Sequence, residues 1–113
     1  MNGYHKLQGE NYLIEQYTPL TANICLRKPY EEGFVKEDLH REIKGVLRPI
    51  LANSDVFEKE YLIYIYNPEK IVETSEKHND TKIEIYFKFK NELKFKQKVS
   101  IINEIIPKIT SLL

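Results

Sequence analysis

Lys82-Ile83-Glu84-Ile85-Tyr86-Phe87-Lys88-Phe89-Lys90 decides the fold. Ile83, Ile85, Phe87 and Phe89 fall on one side of an extended chain, and Lys82, Glu84, Tyr86, Lys88 and Lys90 on the other. Side chains of a strand alternate between faces, so this contrast marks a strand buried on one face and wet on the other. Antiparallel sheets covered on one side only produce that pattern.

Reading forward, Asn91-Glu92 suggests a tight turn. Leu93 and Phe95 then continue an inward face, with Lys94, Lys96 and Lys98 outward, so Lys82–Lys98 is expected to be a hairpin. A helix is expected from Val99 to Leu112, with Ser100 as its N-cap. Its apolar stripe, Ile101, Ile102, Ile105, Ile106, Ile109, Leu112 and Leu113, is interrupted by Pro107. The stripe is wider than a marginal surface helix needs, so it is either deeply buried or shared with a partner.

Reading backward, Tyr61-Leu62-Ile63-Tyr64-Ile65-Tyr66 is the strongest strand in the chain, all β-branched, aromatic or Leu. Asn67-Pro68 ends it, and the polar Glu69–Asp80 is expected to be a mobile loop. Upstream, Val35, Leu39, Ile43, Val46, Leu47, Ile50 and Leu51 recur every three or four residues, which predicts a helix over Val35–Ala52. Pro49 presses on the carbonyl of Gly45 and should kink its last turn. Ala22–Arg27 alternates as a strand, while Tyr12–Tyr17 fits either a short strand or a helix end. Residues 1–10 read as a flexible N-terminal segment and 11–113 as one α+β domain. The expected architecture is a two-layer sandwich: a mainly antiparallel sheet of four to five strands with two amphipathic helices on one face, in the order β(β)αβββα.

Composition bounds the function. The 113 residues suffice for one domain, and 42% hydrophobic with 30% charged residues is ordinary for a globular protein. Lys plus Arg and Asp plus Glu both number 17, a balance that disfavours a general nucleic-acid binder. Cys25 is alone and implies no oxidising compartment. Met1–Asn11 lacks the apolar core of a secretory leader, no run approaches a membrane span, and a cytoplasmic location is expected.

Chemistry is sparse. His5, His40 and His78 fall in separate segments, with no metal-ligand spacing, so no metal or cofactor is expected. The four glycines are scattered, so phosphate-cradling loops are missing. Arg27, on the same strand face as Cys25, would lower a thiol pKa. An enzyme built on Cys25 or His40 would also need a neighbouring base, and none is legible.

Charge is uneven, however. Asp55–Asp80 carries seven acids against Lys59, Lys70 and Lys77, whereas Thr81–Lys98 carries six lysines against Glu84 and Glu92. The candidate partner-binding face is therefore the outer side of the sheet: Tyr64, Tyr66, Tyr86, Lys88, Lys90, Lys94 and Lys96. Such lysines also serve simply as a solvated face that blocks edge-to-edge pairing. The leading expectation is a small non-enzymatic protein-binding module of inhibitor, immunity or mobile-element accessory type, with self-association into a homodimer as a second kind of partnership. The alternative is a single-stranded nucleic-acid accessory protein using the Tyr/Lys face.

Overall fold

A computed structural model of the chain describes residues 4–69 and 79–113. The elements run β1 (His5–Gln8), β2 (Tyr12–Gln16), β3 (Thr21–Pro29), α1 (Lys36–Ala52), β4 (Phe57–Tyr66), β5 (Asp80–Phe89) and α2 (Phe95–Thr110). The strands form one antiparallel sheet in the order β1-β2-β3-β5-β4. The expected α+β sandwich is thus present, with five strands and two helices among the described residues.

β5 is flanked on both sides, with Ile85 level with Ile24 of β3 and Ile63 of β4. Its alternation holds: Ile83, Ile85, Phe87 and Phe89 are buried. Ile14, Ala22, Ile24, Leu26 and Phe57 extend this inner face over β2, β3 and β4. Leu39, Ile43, Leu47 and Leu51 of α1 close over it, together with Ile102, Ile105, Ile106 and Ile109 of α2. The wide C-terminal stripe is therefore consumed by the core. Both helices run on through their prolines, Pro49 and Pro107.

Three expectations need correction. The Lys82–Lys98 hairpin does not form, since the chain leaves the sheet after Phe89 and α2 begins at Phe95. Leu93-Lys94-Phe95 alternates like a strand, but Phe95, Lys98, Val99 and Ile102 also share a helical face. The tie is broken at the helix start, where Gln97 Oε1 accepts the Lys94 backbone N–H at 3.0 Å. The N-cap is accordingly Lys94 and not Ser100.

Second, Lys98 points inward and is fully buried. Third, the polar N-terminal segment supplies a strand, β1, paired with β2. The Tyr12 ring lies over Gly9, where a Cβ would sit 2.2 Å from the ring, so a larger residue there would displace the ring. Tyr12–Gln16 resolves as strand, with Leu13 opposite Cys25 of β3. The expected loop over Glu69–Asp80 falls mostly on residues 70–78, outside the described residues.

Two layers give a slab 44 × 33 × 19 Å with both helices on the same side. No helix among the described residues is long and apolar enough to cross a membrane.

Candidate functional site

Because both helices cover one face, the other face of the sheet is open, and alternation decides what it shows. β4 contributes Leu62, Tyr64 and Tyr66, exposed by 56%, 43% and 48%. β5 contributes Lys82, Glu84, Tyr86 and Lys88, and β3 contributes Asn23, Cys25 and Arg27. β2 adds Leu13 and Glu15, and Tyr4 and Tyr17 flank the far side.

The tyrosines are ordered against one another. Tyr64 and Tyr66 stack with centroids 6.3 Å apart, and Tyr64 meets Tyr86 edge-on at 5.8 Å. Tyr4 and Tyr17 are 5.0 Å apart. Both donate to Glu15 Oε2, at 2.9 and 2.7 Å, while Asn23 Nδ2 donates to Glu15 Oε1 at 3.3 Å. Burial pushes the Glu15 carboxyl upward, but the Tyr17, Tyr4 and Asn23 hydrogen bonds, with Lys82 nearby, hold it below its ordinary value. In return the hydrogen bond to Glu15 pushes Tyr17 up to about 12. Tyr86 donates to Glu84 Oε2 at 2.9 Å, and burial followed by that bond raises its pKa. These phenols stay protonated at neutral pH.

Two open depressions mark this face. One of about 1140 Å³ is lined by Leu13, Glu15, Cys25, Arg27, Lys82 and Glu84 among others. The other, about 680 Å³, lies among Tyr17, Asn23, Lys59, Leu62, Tyr86 and Lys88. The Tyr86–Glu84 hydrogen bond joins them.

The expected partner face divides. Tyr64, Tyr66, Tyr86 and Lys88 share the open side of the sheet. Lys90 lies one residue past β5, and its Nζ donates to the Ser54 carbonyl at 3.3 Å. Lys94 and Lys96 belong to the start of α2, in the helical layer, because the expected hairpin is absent. Two lysines of this face lie near carboxylates, Lys82 at 3.8 Å from Glu84 and Lys88 at 3.9 Å from Glu60, whereas Arg27 and Lys59 have no ion pair among the described residues. Leu62, Glu15, Tyr4 and Tyr17 belong to the face but were not among the expected residues. The period of two over Leu13, Glu15 and Tyr17 is the signal that places Glu15 and Tyr17 on one side; Tyr4 has no such signal.

Cys25 opens onto this face, whereas His40 is on α1 and His5 stacks on Phe95 of α2, both on the helical side. His78 lies outside the described residues. Burial raises the Cys25 thiol pKa; Lys82 and Arg27 oppose this without overcoming it, with Glu84 and Glu15 adding to the rise. Arg27 thus acts in the expected direction, but burial outweighs it. Among the described residues no three His, Cys, Asp or Glu side chains are grouped to hold a metal ion.

Compared with protein-family models, curated proteins and solved structures, the chain finds no match.

Proposed function

We propose that the protein is a small binding module that recognises another protein through the open face of its sheet. The observation that carries this reading is the row of Leu62, Tyr64 and Tyr66, large side chains left in water on a face that the helices do not cover. Tyrosine suits protein contacts, combining an apolar ring with a polar tip at low entropic cost. The paired charges around the row support a protein partner over a polyanion. A strand of nucleic acid needs cations free to meet phosphates. Here Lys82 and Lys88 face Glu84 and Glu60, and Glu15 sits among the tyrosines.

Affinity capture from the cells that make the protein tests this. The wild type should retain a discrete polypeptide that a Tyr64→Ser, Tyr66→Ser double variant of equal thermal stability loses. A Lys44→Ser variant in the helical layer should retain it. Equal capture by all three removes this face from consideration. Tight, salt-sensitive binding to single-stranded oligonucleotides would favour the nucleic-acid reading instead.

A further inference from the structure

The sheet has two edges, and they are treated differently. β1, on one side, is four residues long, polar and carries Lys6. Short, lysine-bearing edges resist pairing with other chains. β4, on the other side, is ten residues long. Its first half is guarded by Glu58, Lys59 and Glu60 and by an irregularity in register between Phe57 and Tyr61. Its second half, Tyr61–Tyr66, has no charge, no proline and no register shift. Among the described residues no strand pairs with its free side. The strongest strand-forming run in the chain thus occupies the position where a soluble sheet is ordinarily protected.

We propose that two copies of the chain pair antiparallel through the free edges of β4, centred on Tyr64, so that one sheet runs continuously through both.

The match between two identical strands carries the argument. Two-fold pairing sets residues of the same face opposite each other when it is centred on a residue. Centred on Tyr64, it places Leu62 against Tyr66, Tyr64 against its own copy, and Ile63 against Ile65. Aromatic and β-branched pairs of this kind are the ones that stabilise sheets. The charges of β4, Glu58, Lys59 and Glu60, all fall outside the paired run. Moving the centre one residue toward the N-terminus sets Glu60 against Tyr66 and spoils the match. Zero net charge adds no repulsion between copies. The pairing would also fuse two tyrosine rows into one surface across the axis.

A six-residue edge is a small interface, so self-association should be weak and concentration-dependent. Sedimentation equilibrium of the purified chain should show a mass rising from 13.5 kDa toward twice that value. Tyr64→Lys sets like charges face to face and should weaken the dimer by about tenfold or more. Tyr17→Ser, on the same face but away from the edge, should leave the mass unchanged while impairing partner capture, so failure of the dimer and failure of the proposed function are separable. In a Cys25→Ser background, Tyr64→Cys should crosslink two copies on mild oxidation, and Leu62→Cys should not. A single-chain mass up to several hundred micromolar overturns the proposal. So does a dimer indifferent to Tyr64→Lys, or one in which Leu62→Cys crosslinks as readily as Tyr64→Cys.

Discussion

Lys98 shows how far one residue departs from its reading. Its Nζ donates to Gln16 Oε1 at 2.7 Å, to the Pro19 carbonyl at 2.5 Å and to the Thr21 carbonyl at 3.2 Å, and it lies 5.2 Å from the centre of the Phe89 ring. No carboxylate takes part in these contacts; an ammonium caps the β2–β3 turn from beneath. Lys98→Ala would take one donor from three acceptors and open a cavity, and should cost about 3–5 kcal/mol in denaturant unfolding. Lys98→Met keeps most of the volume and should cost less, about 1–3 kcal/mol. Alkaline pH tests the tyrosines. The raised pKa of Tyr17 means that the unfolded chain loses its proton first, at about 10. Its contribution is complete below that pH and disappears as pH rises through about 12. Lys98 acts in the opposite sense: burial lowers its pKa, so its ionisation penalty fades as pH rises toward about 10.4. Tyr4, Tyr66 and Tyr86 are shifted upward with Tyr17, so the tyrosines should prevail and stability should fall above pH ~10. Tyr17→Phe should flatten that fall. A Tm that holds constant from neutral pH into this range would contradict the hydrogen-bond geometry around Glu15.

Elements were legible wherever a period persisted. Ten residues of alternation in β5 and four turns of spacing in α1 left little room for error, and both occur where expected. Short segments carried too few repeats. In residues 93–98 a strand and a helix start place Leu93 and Phe95 equally well, and the Gln97 hydrogen bond to the Lys94 backbone, together with the fit of Phe95 and Val99 against the core, separates them. The Gln97 reach-back that closes the first turn of α2 should therefore matter: Gln97→Ala should lower stability by about 0.5–1 kcal/mol, measured by chemical denaturation. β1 escaped notice because His5-Lys6-Leu7-Gln8 has no alternating contrast, and its place comes from pairing with β2 alone. The open-face tyrosines of β4 and β5 were readable because each lies in a long strand. Lys94 and Lys96 lie elsewhere because their assignment depended on a hairpin inferred from three alternations, and Lys90 because β5 ends one residue before it.

At the scale of the molecule, strand order sets what the protein presents to its surroundings, and strand order was not readable. Tyr61–Tyr66 has the composition of a central strand, yet β5 takes the interior and β4 the rim. That exchange leaves aromatic side chains both on an open face and along a free edge, the two features on which the proposed partner contact and self-pairing rest. The most direct test of the open face is site-specific photo-crosslinking in the producing cells, with benzoylphenylalanine placed at Tyr66 or, on the helical side, at Lys108. The account predicts a discrete adduct to another polypeptide from position 66 and none from position 108. Adducts of equal yield from both positions, or none from position 66, would contradict it.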